Sequence, residues 1–349
     1  MAITTPVYTT REAVKSALDV KLTARSDPQV DRAIESASRA VEGLLHRRFY
    51  PERRTMSFDW PNAQLARPWR LWLDANELIE VEALTVGGEE IPSSDYFLRP
   101  DDGPPYRRIE IDLDSSAAFS AGGTHQRAIS ITGVYGYRAD ESPAGVLAAA
   151  LNATQTSVTV TDSAAIGVGD LIRVGDERML VTGKAMASTG QTLQSPLNTS
   201  AADALVAVTD GTAYQPGEVI LLDAERMLIV DVAGNSLVVK RAWDGSVLAA
   251  HTGSTVYALR ALTVERGAVG TTAATHNSGA AIVRHEVPAT VRELVEAEAI
   301  NTLLQRQSGY ARSIGSGENE REVAGRALRE IRDQAYAMYG RKARIRGVS

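Results

Sequence analysis

The sequence predicts an α+β fold: a helical core with a small β-sheet, plus an inserted all-β repeat domain. Three observations predict it. Apolar residues recur at helical spacing over 27–48 and 288–338. Between 52 and 138 they alternate in short runs, as strands with one buried face do. Residues 139–285 then thin in charge, fill with Thr, Val, Ala and Gly, and repeat internally. The stretch Ile129 to Tyr137 joins these parts, because Ile129 and Ile131 alternate with Ser130 and Thr132 before Gly133 and Gly136 break the pattern. A helix opened by Pro is the expected continuation. That start, Val287-Pro288, stands about 150 residues later. The expected domains are therefore 1–138 with 286–349, a discontinuous core, and 139–285, an insert.

In chain order, Thr9 and Glu12 have the spacing of a capping box and predict a helix to about Leu18. Asp27-Pro28 predicts a stronger start, since Asp caps and Pro fits the first helical position. Val30, Ile34, Ala37, Val41, Leu44 and Leu45 form its stripe, and His46-Arg47-Arg48 suits its carbonyl end. Strands are expected at Met56–Trp60, Trp69–Leu73, Ile79–Val86, Tyr96–Leu98, Ile109–Leu113 and Ile129–Tyr137.

The insert repeats at two offsets. At 48 residues, Val158–Asp162 matches Val206–Asp210, Gly169-Asp170 matches Gly217-Glu218, and Arg178–Leu180 matches Arg226–Leu228. At 25 residues, Leu237–Arg241, Gly245 and His251 match Leu262–Arg266, Gly270 and His276. Such units predict a compact β module that grew by duplication. Beyond it, Pro288 opens a helix bearing Val291, Leu294, Val295, Leu303 and Leu304. Ser308–Gly317 reads as a flexible polar loop. A last helix carries Val323, Ala327, Leu328, Ile331, Ala335 and Met338, and Arg341–Arg346 form a basic tail.

Composition bounds the function. The chain has 349 residues, 44% of them apolar, and a net charge of −6, which gives no global attraction to nucleic acid or anionic membrane. Cysteine is absent, so disulfides and thiolate sites are excluded. No apolar run nears the roughly 18 residues of a membrane span, and Met1–Thr10 lacks signal-peptide character. A soluble protein without membrane partners is expected. Aromatics are only 5%, which does not suggest an aromatic-lined pocket for a small molecule.

Candidate chemistry is sparse. His251 and His276 hold equivalent repeat positions, but neither has a second ligand at close spacing, so turn-fixing roles are expected and no metal site. Asp176-Glu177 and Asp223 with Glu225 are paired carboxylates before apolar strands, a setting that predicts solvated hairpin tips rather than an acid/base pair. No nucleophile elbow, zinc-helix motif or phosphate loop is present. No catalytic residue and no cofactor are expected. The basic tail, Arg341, Lys342, Arg344 and Arg346, is the charged feature that best suits docking or phosphate contact.

Several motifs, in order, resemble the head–tail connector family of tailed bacteriophages. They are Tyr8-Thr9-Thr10-x-Glu12, the Asp-capped helix ending in Arg47-Arg48-Phe49, Gly133-x-Tyr135-Gly136-Tyr137, and the helix led by Val287-Pro288. The likeness covers about residues 8–138 and 286–340, and the insert 139–285 departs from it. Gly270-Thr-Thr-Ala-Ala-Thr-His276 is similar to repeats in some phage virion proteins. The resemblance implies a helical connector core and a structural, non-enzymatic virion protein assembled in the host cytoplasm. It implies a ring beneath the portal, typically a dodecamer, that extends the DNA channel. Its partners would be the portal protein, a tail-side connector, stopper or tail terminator protein, other copies of itself, and DNA passing without sequence-specific binding. Arg341, Lys342, Arg344 and Arg346 would contribute to portal docking. Two other readings compete. One is a carbohydrate- or host-binding virion protein acting through the repeats, with Trp243 and Tyr257 as its few aromatics. The other is a polymer-acting enzyme using Asp176 or Asp223.

Overall fold

The computed structural model describes residues 3–18, 26–60, 67–120, 123–307, 313–314, 321–322 and 326–341. Strand accounts for 36% and helix for 23%, so the chain is mostly β. This overturns the expected helical core with a small sheet. Among the described residues, four helices stand beside a ten-stranded antiparallel sheet. The physical reason is size: the first helix has only seven residues, and the repeat region closes two cores of its own. Contacts divide the chain into two compact units. One is Met1–Val41, Glu141–Ala268 and Thr272–Ala337, and the other is Glu42–Asp140, Val269–Thr271 and Met338–Ser349.

Helix α1 (Arg11–Ala17) is capped by Thr10, whose hydroxyl accepts from Ala13 N, and not by Thr9. Glu12 is drawn elsewhere: its carboxylate accepts from Val168 N at 2.8 Å. Helix α2 (Asp27–Leu45) buries the expected stripe of Val30, Ile34, Ala37, Val41 and Leu45. The Arg11 guanidinium bridges to Asp31 on α2.

Strands β1 (Glu52–Phe58), β2 (Arg70–Trp72), β3 (Leu78–Val86), β4 (Glu89–Glu90), β5 (Tyr96–Arg99), β6 (Arg108–Ile111) and β7 (Ile129–Tyr135) follow. They form two antiparallel sheets, ordered β1-β7-β3-β4 and β2-β6-β5. Their inward faces share one core, which includes Leu71, Leu84, Ile109, Ile129 and Ile131. The central strand β7 is the Ile129–Tyr137 stretch. A Cβ on Gly133 would lie 2.2 Å from Glu80 O, so only glycine fits that crossing.

Strands β8 (Glu141–Val146), β9 (Ser157–Thr159), β10 (Leu171–Val174), β11 (Glu177–Thr192), β12 (Leu205–Ala207), β13 (Val219–Leu222), β14 (Glu225–Ala233), β15 (Ser236–Lys240), β16 (Thr255–Glu265) and β17 (Ala281–His285) build the large sheet. Its two repeats are nested. In the inner one, β14 and β15 form a hairpin that pairs Leu228 with Lys240, Ile229 with Val239, then, past a bulge, Asp231 with Val238 and Ala233 with Ser236. In the outer one, β11 and β16 pair Leu180 with Glu265, Val181 with Val264, then, past the same bulge, Gly183 with Thr263 and Ala185 with Ala261. Where the inner hairpin turns at Gly234-Asn235, the outer one carries the whole inner repeat. Both sequence offsets therefore stem from one duplication.

The cores match residue for residue. Val158, Val160, Ile172, Met179 and Val181 in one correspond to Val206, Val208, Ile220, Met227 and Ile229 in the other. Helix α3 (Ala289–Gln307) begins beyond Pro288 as expected. The stretch expected to be a loop contains β18 (Ser313–Ile314), paired with β19 (Arg321–Glu322). The rest of 308–317 lies outside the described residues. Helix α4 (Arg326–Tyr339) buries Leu328 and Ala335, but Met338, expected on that face, is 57% exposed.

Candidate functional site

Two of the four segments that carry the connector resemblance, Arg47–Phe49 and Gly133–Tyr137, meet at the end of α2. His46 takes a left-handed φ of 52° just beyond the helix and turns the chain toward Arg47. The Arg47 guanidinium pairs with Glu77, with Nε–Oε2 at 2.8 Å and Nη2–Oε1 at 2.9 Å, and lies 4.8 Å from the Tyr137 ring centroid. Tyr137 N donates to Arg48 O. Gly136 N donates to Glu77 O, and a Cβ on Gly136 would lie 2.4 Å from Tyr50 O, so the second glycine of the motif is also sterically required.

Phe49, Tyr137 and Tyr339 complete the site as three mutually packed rings, with centroids 5.4 to 6.1 Å apart. Just past α4, Arg341 N donates to Leu45 O at 3.0 Å, which ties the exit of the last helix to an orphan carbonyl at the end of α2. Burial pushes the Glu77 carboxyl up, against the pull of Arg47, Arg341 and Arg107. Arg341 is thus a half-buried anchor facing Glu77. Lys342, Arg344 and Arg346 lie outside the described residues.

The paired carboxylates divide: Asp176 and Asp223 are exposed, as expected of hairpin tips. Glu177 and Glu225 are 1% and 0% exposed, which corrects the expectation for the glutamates. Each enters at the start of a strand whose apolar residues face a core, and this carries the carboxylate inside. Glu225 accepts from Arg241 Nε and Nη2, both at 2.7 Å, from Ala242 N and Ala249 N, and faces His251 Nε2 at 2.9 Å. Glu177 repeats the pattern with Arg266, Gly267 N, Ala274 N and His276 Nε2 at 2.8 Å. Burial alone raises both carboxyls, but the arginine, backbone and histidine bonds prevail and hold each at about 2.

Each histidine fixes a turn: its backbone pairs with Leu197 or Leu151, and its ring is spent on the buried carboxylate. Only His251 has a second carboxylate, Asp223, on Nδ1 at 2.7 Å, because the position matching Asp223 is Gly175. Asp176 is exposed. Among the described residues, no group of three or more His, Asp or Glu side chains is placed to hold a metal. The residues missed from sequence are Arg241 and Arg266. The 25-residue match aligned them, and the Glu beside Arg-Met-Leu in the 48-residue match was the signal for their partners.

Comparison with known proteins identifies no relative. No family model, no curated protein and no solved structure matches the chain.

Proposed function

We propose that this chain is a structural virion protein, a head-to-tail adaptor that forms a ring beneath the portal, extends the DNA channel and offers a surface to tail proteins. One observation carries the reading. Arg47-Arg48-Phe49 and Gly133–Tyr137, two of the motifs that resemble the connector family, converge beside Arg341, the first residue of the basic tail. A charged tail rooted in a packed aromatic cluster has a fixed origin, so its docking reach is defined. The tail enters the portal, and ring closure brings one face of each subunit against a different face of the next. A chain of net charge −6 attracts phosphate weakly and lets DNA slide. The role needs no catalytic step, which agrees with Glu177 and Glu225 being spent on internal bonds.

Cryo-electron microscopy of the protein mixed with DNA-filled, tailless capsids tests this. A ring of density at the portal vertex is expected. Bare vertices would reject the adaptor and turn attention to the β repeats as a glycan-binding module.

A further inference from the structure

The outward face of the β2-β6-β5 sheet is a second organised surface. Pairing sets two cross-strand rows, Phe97–Glu110–Arg70 and Arg99–Arg108–Trp72. Leu71, Ile109 and Leu98, on the other side of the pleat, pack into the core. On the outward side Glu110 lies among three guanidiniums: Arg70 Nε at 2.7 Å, Arg108 Nε at 2.8 Å and Arg99 Nε at 3.1 Å. The arginines also lie over rings, Arg99 over Phe97 at 5.3 Å, Arg108 over Trp72 at 5.2 Å and Arg70 over Trp69 at 4.8 Å. Burial raises the Glu110 carboxyl, but Arg108 and Arg99 more than offset it, so it stays ionised.

Three guanidiniums against Glu110 and against Asp101, which pairs with Arg99, leave this face one net positive charge on an acidic chain. The lattice of ion pairs and ring contacts holds the side chains before any partner arrives, which lowers the entropic cost of docking. Arginine with Trp and Phe is the composition of protein–protein hot spots, and residues 42–140 contain no Lys.

We propose that this face docks the β3–β4 hairpin of a second copy of the chain, with Glu89 and Glu90 meeting the arginines. Both glutamates are exposed and sit on the terminal strand of their sheet, just past the Gly87-Gly88 turn. Their negative charges are opposite in sign to the net positive charge of the face. A nucleic acid strand fits less well. Asp101 and Asp102 follow β5 at one end of the face, and Asp112 and Asp114 follow β6 at the other, so an extended polyanion meets acid in both directions. The proposal rests on the self-assembly part of the adaptor reading and assigns it a surface.

The test is analytical ultracentrifugation of the full chain over a concentration series at low and high salt. Salt-sensitive self-association is expected. Phe97→Ser, Arg108→Glu and the Glu89→Arg/Glu90→Arg pair should each weaken it by at least about tenfold. Mixing Arg108→Glu with the glutamate reversal should restore association. Phe97 is 45% exposed, so its replacement leaves the fold intact and keeps the test decisive. A monomer at every concentration, or association indifferent to all three variants, overturns the proposal. Duplex DNA bound by the native chain and released by Arg108→Glu would reassign the face to nucleic acid. Capsid-vertex rings that survive Phe97→Ser sink this surface and leave the adaptor standing. Salt-sensitive association with vertices bare for every variant does the reverse.

Discussion

Glu177 and Glu225 each close a loop of the chain by gathering one arginine, one histidine and two backbone N–H groups. Replacing either with Ala leaves a buried guanidinium unpaired, and breaking such a pair costs about 3–5 kcal/mol. Glu225→Ala should therefore lower the urea midpoint sharply; a midpoint within error of the native chain would show the cluster to be dispensable. The pH dependence has a definite sign. A carboxyl held at about 2 against an ordinary 4.5 contributes stability above pH 4.5 that is lost as pH falls toward 2. Asp170 has the opposite sign. Burial pushes it up to about 6 from 3.8, against Arg284 and Gly167 N–H and with Glu12 adding to the rise, so its contribution is full below pH 3.8 and lost as pH climbs through 6. Asp170→Asn should flatten the fall in stability between pH 4 and 6, a span worth about 3 kcal/mol, and leave the loss below pH 4.5 in place. An unchanged slope in urea titrations across that range would refute it. These residue types were visible in the repeats. Their burial was not, because an acid ahead of an apolar strand reads locally as a hairpin tip, and only the fold of one repeat segment onto another puts it inside.

The nesting of the repeats makes a prediction about elements. Every residue of the outer core lies outside 186–260 and every residue of the inner core lies within it. Removing 186–260 and joining Ala185 to Ala261 through Gly-Asn recreates the turn that the inner hairpin already uses. The shortened chain should stay soluble and unfold cooperatively, checked by circular dichroism and thermal melting. Removing all of 140–285 should not be tolerated, because the outer repeat is the seat of the N-terminal segment: Arg11 N donates to Val168 O, Glu12 accepts from Val168 N, and Val7 packs against Gly169. Equal behaviour of the two deletions would argue against independent cores. Alternation in Leu71, Ile109 and Ile129–Ile131 located these strands correctly from sequence, since a period of two survives any topology. The nesting was hidden because an insertion at a hairpin tip splits one repeat into two offsets, 48 and 25, that look unrelated. Amphipathic stripes also made α1 to α4 look like a core of their own, although periodicity says that a face is covered and not what covers it.

For the whole molecule, the adaptor reading separates the anchor of the tail from its grip. Arg341 is held by Leu45 O and faces Glu77, so its loss would disturb the packing around Phe49, Tyr137 and Tyr339. Lys342, Arg344 and Arg346 follow that anchor, and their charge should act on the partner and not on the fold. Deleting 342–349 while keeping Arg341 is then expected to leave the melting temperature unchanged and to weaken binding to tailless capsids by at least about tenfold at moderate salt. The native chain should lose affinity as salt rises, because exposed charges are screened over about 8–10 Å near physiological ionic strength, and the shortened chain should lose less. Cosedimentation with capsids over a salt series reads both effects. Full binding by the shortened chain would move the portal contact off the tail, whereas a lowered melting temperature would show that the tail is part of the fold it was proposed to leave.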